Sequence, residues 1–432
     1  MSERVFHFEI VIVGAGPAGL AAACAAAESG KRVAVVDDTP WLGGQIWRGQ
    51  QAKFSNAQAR EWIEKFRKSG ATLLDRTSVM ASPERGVLLA EYPEAPRMIR
   101  WEKLILATGA RELFLPFPGW TLPGVIGPGG LQVLVKNGWP VAGKKIVIVG
   151  TGPLLLAVAD GLKQNGAKII SIAEQAPFSR VAGFGLKLLA HPGKVLQGVG
   201  IKSRLLGVPY RCGAWPVKAD GSDQVRGVTL TDGRKTWTEE CDVLACGFNL
   251  VPNVELPLAL GCELAGGFVR VDQWQETGVK KIFCAGEPTG IGGADCALVE
   301  GLIAGYAACD CHDEVVKLFG KRDSWHQFRA TLAEAFALRG ELKSLAADDT
   351  LLCRCEDVTF GRVRQFAGWR DAKLQTRCGM GACQGRVCGA AAKTIFGWGM
   401  ESVRPPVFPA RISSLMTISS NSTTIAKTNQ KL

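Results

Sequence analysis

The 432 residues carry 51 Lys and Arg against 40 Asp and Glu, a net charge of +11, with 47% hydrophobic residues, 21% charged residues and 52 glycines. That length exceeds what one hydrophobic core serves, so two or three domains are expected, and the apolar content excludes a largely disordered chain. The basic residues are scattered with no block of five or six, which argues against nucleic acid as a partner and for a basic face toward anionic cofactors or an acidic partner.

The opening "MSERVFHFEIVIVGAGPAGL" lacks a basic segment followed by an apolar core and cleavage site, and no run of about 18 apolar residues follows. A cytosolic location is expected. Fourteen cysteines there read as buried thiols, metal ligands or redox groups rather than structural disulfides.

In chain order, "FEIVIVG", "GAGPAGLAAACAAAESG" and "KRVAVVDD" predict strand, glycine turn, helix and strand. Gly14, Gly16 and Gly19 form G-x-G-x-x-G, with Ala15, Pro17 and Ala18 between them. The first glycine allows the turn, the second lets backbone approach a pyrophosphate, the third lets helix and strand pack, and the helix N-terminus faces the phosphates. Asp37, 23 residues beyond Gly14 and followed by Asp38, is placed to accept ribose hydroxyls. FAD rather than NAD is favoured by Gly44 and Gln45 of "GGQ", by Ala107, Thr108 and Gly109, and by Gly286 and Glu287 of "CAGE". Over about residues 1 to 310 this pattern resembles the two-dinucleotide-binding flavoprotein superfamily. In that superfamily the last strand ends in Gly-Asp, whose acid holds the flavin ribityl chain, so the resemblance implies that role for Glu287.

Farther along, "KKIVIVG", "TGPLLLAVADGLKQNG" and "AKIISIAEQ" repeat the order, which predicts a second nucleotide fold inserted in the first. Gly150 and Gly152 match the fingerprint and Pro153 follows them, but Leu155 occupies the third glycine's place and would hold the helix off the strand. Glu174, 24 residues beyond Gly150, stands where an acid would bind ribose. Turnover of NAD(H), binding of another adenine nucleotide and a structural remnant all remain open here. The boundaries expected are 1–118 with 272–320 for the FAD fold, 119–271 for the second fold, 321–347 for a linker helix, 348–402 for a cysteine domain and 403–432 for an extension. Trp325, Phe328, Leu332 and Phe336 set an apolar stripe on the linker helix. The last 20 or so residues, rich in Ser, Thr and Asn, read as a mobile tail.

Disulfide reduction beside a flavin needs a C-x-x-C, and this chain has none. His7, His191, His312 and His326 show neither metal-ligand spacing nor a nucleophile partner, so no general base emerges. Cys353-x-Cys355 and Cys378-x4-Cys383 give two close thiolate pairs, suited to zinc or an iron–sulfur cluster. The gaps depart from the usual zinc spacing, and Gly379, Gly381 and Gly385 would bring backbone N–H groups close to inorganic sulfide. Cys309-x-Cys311 lacks a glycine loop and a matching pair, and reads as ordinary.

The segment "CRCEDVTFGRV…TRCGMGACQGRVC" resembles the bacterioferritin-associated-ferredoxin-like 2Fe-2S domain. That resemblance implies a 2Fe-2S cluster on Cys353, Cys355, Cys378 and Cys383, with Cys388 spare or exchanging with Cys378. The fold class expected is therefore α/β, two Rossmann-like folds with the second inserted in the first, plus a small C-terminal helical domain. Over about residues 1 to 402 the whole resembles the alpha subunits of the opine oxidase, proline or hydroxyproline dehydrogenase and hydrogen cyanide synthase group. The resemblance implies a partner subunit, itself a D-amino-acid-oxidase-like flavoprotein, that oxidises an amino acid while this chain takes the electrons. Delivery to a quinone pool would make a peripheral membrane contact convenient. The alternatives are a self-contained NAD(H)-dependent reductase feeding the cluster through FAD, and a non-enzymatic iron-sensing or docking module.

Overall fold

The computed structural model describes residues 4–48, 56–93, 95–399 and 403–416. Two compact units emerge. The first takes residues up to Ala110, the stretch Pro252–His326 and the described residues after Ser402; the second takes Arg111–Val251 and Gln327–Glu401. The chain thus leaves the first unit at 110 rather than 118 and returns at 252 rather than 272. The cysteine segment shares a unit with the second nucleotide fold.

In the first unit the strand Arg4–Val13 lies between Val33–Val36 and Pro96–Leu106, parallel to both, with Thr72–Leu74 beyond Val33–Val36. Ile282–Cys284 returns from the far side of the insertion to pair, also parallel, with the end of Pro96–Leu106. Val33–Val36 is buried along its whole length, as a parallel strand covered on both faces requires. The helix Pro17–Glu28 is alanine-rich and buried nearly all round. It packs on the helix Gly293–Ala308, where a Cβ on Gly301 would stand 2.2 Å from the Ala18 carbonyl oxygen and one on Gly305 2.5 Å from that of Ala22. Glycine at these two positions, one helical turn apart, is what lets the backbones touch. Part of the expected tail is ordered here: Val407 N–H donates to the Met80 carbonyl, and buried Ser414 donates to Glu91 Oε1. Residues 417–432 lie outside the described residues.

The second unit holds a five-stranded parallel sheet in the order Tyr210–Cys212, Lys168–Glu174, Lys145–Gly150, Val243–Gly247, Val125–Ile126. A three-stranded antiparallel meander, Trp215–Asp220, Gly227–Thr231 and Thr236–Glu240, packs with it. The linker helix runs Phe319–Ala335 and stops before Phe336; a short turn of 3₁₀ helix, Gly340–Ser344, follows. The cysteine module is a small hairpin, Leu351–Cys353 against Val358–Thr359, with helices Trp369–Thr376 and Cys388–Phe396 around a core of Leu352, Val358, Val363, Ala372 and Ala391. It is fixed to the second nucleotide fold: Trp120 Nε1–H donates to the Leu351 carbonyl at 2.6 Å and Arg111 donates to that of Arg386 at 3.2 Å.

Candidate cofactor sites

The first glycine turn is built around contacts that admit no side chain. Gly14 has φ +109°, and its Cβ would fall 2.2 Å from the Ala107 carbonyl oxygen; a Cβ on Gly19 would fall 1.8 Å from the Gly14 carbonyl oxygen. At Gly16, the residue before the helix Pro17–Glu28, a Cβ would meet nothing within 4 Å. Sterics thus dictate Gly14 and Gly19, whereas Gly16 borders open space at a helix N-terminus, where a pyrophosphate fits. Asp37 is buried, with Oδ2 accepting from Ala15 N–H at 2.7 Å and Oδ1 accepting from Thr39 N–H and its hydroxyl. Its first task is therefore to hold the turn; Asp38 beside it is exposed. Gly43 N–H donates to the Ala15 carbonyl, and Gly44 lies so close to Gly16 that a Cβ would stand 2.9 Å from its Cα; Gln45 is exposed. Thr108 is clasped by Asn253, hydroxyl to carbonyl at 2.7 Å and amide to carbonyl at 2.8 Å, with Gly109 accepting from Asn253 N–H.

At the closing strand, Gly286 has φ +82°, and Glu287 Oε1 accepts from Gly293 N–H, the first residue of the helix Gly293–Ala308. Glu300 sets this loop. Fully buried, it accepts from Gly286 N–H at 2.8 Å and from the Thr289 hydroxyl at 2.7 Å, while its other oxygen stands 2.8 Å from His326 Nε2 and 3.7 Å from Cys296 Sγ. Sequence reading missed this group. Cys296 and Glu300 are one turn apart on a helix, but His326 comes from the linker helix and only the fold brings it in.

The second glycine turn is arranged differently. Gly150 keeps its steric reason, since a Cβ would stand 1.7 Å from the Gly247 carbonyl oxygen. Leu155 fills the space under the helix Leu154–Gln164 and is buried in the unit's core. Glu174 has no exposed surface: Oε2 accepts from Gly152 N–H at 2.7 Å, Oε1 from Ala176 N–H and the Thr151 hydroxyl. Burial pushes its carboxyl up to about 7, against the lowering pull of those donors. Residues 336–339 of the same chain cover it. The Phe336 ring sits 4.0 Å from where a Gly152 Cβ would be, and the Phe336 carbonyl lies 3.4 Å from the Thr151 hydroxyl. Gln175 donates to the Ala337 carbonyl and accepts from Arg339 N–H, whose guanidinium lies over the Trp215 ring. Phe336 is itself wedged edge-on to Phe184, ring centroids 5.2 Å apart. The carboxylate expected to meet a ribose instead faces its own chain, because Phe336 supplies more apolar contact there than an open turn would.

In the cysteine module, the sulfurs of Cys353, Cys378 and Cys388 lie within 4.8 Å of one another, all buried. Shared hydrogen bonds hold Cys353 well below the ordinary thiol range and push Cys378 up to about 12, with Cys388 raised further. The Gly379 and Glu356 amides also donate to Cys353 sulfur, and Cys355 bonds to Cys383 through both backbone and side chain. All five thiols therefore gather, and Cys388, set aside as spare from spacing, sits among the buried three. The loop is drawn tight by close contacts: a Cβ on Gly381 would lie 2.3 Å from Cys355 Cβ, one on Gly379 2.7 Å from the Trp369 ring, and Arg377 pairs with Glu356 at 2.8 Å. Soft thiolates with nearby amide donors are the donor set of an iron–sulfur cluster. Cys309 and Cys311 bond instead to the Ala26 and Cys309 carbonyls.

Two nucleotide folds with an intact first fingerprint define a flavin-type oxidoreductase. Residues 8–301 match the family described as pyridine nucleotide-disulphide oxidoreductase, and the chain belongs to that family as an FAD-dependent oxidoreductase. An opine oxidase subunit from Rhizobium meliloti is 31% identical over an alignment covering 94% of this chain and 98% of its own. Hydrogen cyanide synthase subunit HcnB of Pseudomonas aeruginosa is 31% identical, covering 88% of this chain and 90% of its own. L-proline dehydrogenase from P. horikoshii has a TM-score of 0.68 at 19% identity, over 96% of this chain and 80% of its own, a likeness of fold. Among the described residues no helix is long and apolar enough to cross a membrane.

Proposed function

We propose that this chain is the electron-transferring FAD and 2Fe-2S subunit of a heteromeric amino-acid dehydrogenase, of proline, hydroxyproline or opine type. It receives electrons from a partner flavoprotein of the D-amino-acid-oxidase kind. The observation that carries this reading is the closed second turn: Glu174 is sealed beneath residues 336–339, which leaves no seat for a nicotinamide dinucleotide as electron source. The relatives named as oxidase and synthase subunits support a heteromer.

FAD supplies the step between two-electron and one-electron transfer when bound. The chain's own part is to hold it. Gly14, Gly16 and Gly19 shape the phosphate seat, Asp37 fixes the turn through Ala15 N–H, and the Thr108–Asn253 clasp and the Glu300-set loop position Gly286 and Glu287. Cys353, Cys355 and Cys383, with one of the buried pair Cys378 and Cys388, would hold the cluster, and the Gly379, Glu356 and Cys383 amides would stabilise charge on sulfur. Electron transfer of this kind requires no general base.

Anaerobic stopped-flow spectroscopy of the purified chain, after bound FAD, iron and acid-labile sulfide are quantified, tests the reading. NADH should leave the flavin and cluster bands unchanged, and the partner flavoprotein with its amino acid should bleach both. Rapid bleaching by NADH alone would overturn the proposal in favour of a self-contained reductase.

A further inference from the structure

After Glu174 the second unit carries a helical excursion, a helix Phe178–Lys187, a 3₁₀ turn Leu188–Ala190 and a helix Pro192–Arg204. Each helix is apolar on two sides. Inward, Val181, Phe184 and Leu188 pack against Phe328, Leu332 and Phe336, and Leu205 joins the sheet's core with Ile201 against it. Outward, Phe178, Leu186, Leu189, Leu196, Val199 and Leu206 are between 62% and 75% exposed. Positions 178, 182, 186 and 189 follow helical spacing, as do 192, 196, 199, 203 and 206, so the exposed side chains form a stripe on each helix. An apolar face of this extent on an otherwise polar surface marks a contact.

The charge pattern identifies what the contact is. Between Glu174 and Asp220 the sequence has no Asp or Glu, while the excursion carries Arg180, Lys187, Lys194, Lys202 and Arg204. Arg204 is matched by Asp160 at 2.7 Å and Lys187 by Glu334 at 3.1 Å, both from neighbouring elements, and the balance stays positive. Protein interfaces are enriched in Tyr, Trp and Arg and depleted in Lys. Here three of the five bases are Lys, and residues 178–206 include no Tyr or Trp. Leucine and phenylalanine flanked by lysines, whose stems lie along apolar groups while the ammonium stays in water, match a lipid headgroup boundary.

We propose that the outward face of residues 178–206 docks this chain on an anionic lipid bilayer, the two apolar stripes entering the acyl boundary and the lysines meeting acidic headgroups. This inference stands apart from the electron route proposed above and fails separately from it.

The full chain with its FAD is sedimented with vesicles of phosphatidylcholine alone and with about one third phosphatidylglycerol, at low and high salt. The expected result is preferential binding to the acidic vesicles, weakened by salt, and reduced at least about tenfold in Leu186→Glu/Leu196→Glu. Both side chains are exposed, so the variant should keep its flavin spectrum and melting temperature; Lys194→Gln/Lys202→Gln should lose the preference for acidic lipid without either. Absence of binding to acidic vesicles, or equal binding by the leucine variant, would overturn the proposal. So would light scattering that finds a dimer which the leucine variant converts to monomer, or a variant that loses the partner flavoprotein while still binding lipid.

Discussion

Glu174 offers a direct test of whether the second nucleotide turn is closed. An ordinary carboxyl titrates near 4.5, and burial pushes this one up to about 7. At about 1.4 kcal/mol per pH unit, that rise is a cost on the order of 3 kcal/mol to the folded state when the group is ionised. The sign follows from proton binding. Below about pH 4.5 folded and unfolded chains both hold the proton and there is no cost; as pH rises toward 7 the unfolded chain releases it first, so stability falls; above 7 the full cost applies. Glu174→Gln cannot ionise and lacks this slope, although its amide would face Gly152 N–H and carry a pH-independent loss of about 1–3 kcal/mol. Thermal melts of both proteins across pH 4.5–8 should therefore converge or cross as pH rises, the gap changing by about 5–10 °C for a unit of this size. Phe336→Ala should shrink that change by admitting water to the carboxylate. A gap that stays constant across the range would refute the closed turn and reopen the site to a nucleotide.

The glycines of the first turn should separate by role. Gly19→Ala forces Cβ onto the Gly14 carbonyl and should unfold or grossly loosen the first unit, seen as a melting temperature lowered by several degrees; Gly16→Ala meets no protein atom and should leave apo-protein stability alone while weakening FAD retention on gel filtration. Glu300→Ala leaves the Gly286 amide and Thr289 hydroxyl without their acceptor, at about 1–3 kcal/mol each, and should raise the FAD dissociation constant about tenfold or more by fluorescence titration. Serine at Cys353, Cys355 or Cys383 should abolish bound iron and the visible cluster bands, whereas of Cys378→Ser and Cys388→Ser just one should be tolerated; iron retained in all five variants would exclude a cysteine-held cluster.

Local sequence determined much of this protein. Period, glycine spacing and the acid at the strand end specify the turn at Gly14–Gly19, because each of those residues acts within one strand–turn–helix unit and its steric role repeats wherever that unit occurs. The insertion was legible for the same reason, as a second unit of the same kind. Spacing alone also gathered the cysteines into one module, yet it set Cys388 apart, since only the turn of the loop beneath Trp369 carries that sulfur back to Cys353. The state of the second turn lay beyond the sequence. Leu155 and Glu174 point opposite ways as single letters, and the outcome is set by Phe336, more than 160 residues away, whose aromatic contact with Phe184 and carbonyl beside Thr151 close the turn. Glu300 with His326 and the two outward stripes of the excursion share that origin. Their chemistry lies in which side chains meet, or fail to be covered, across long separations, and only tertiary packing decides that.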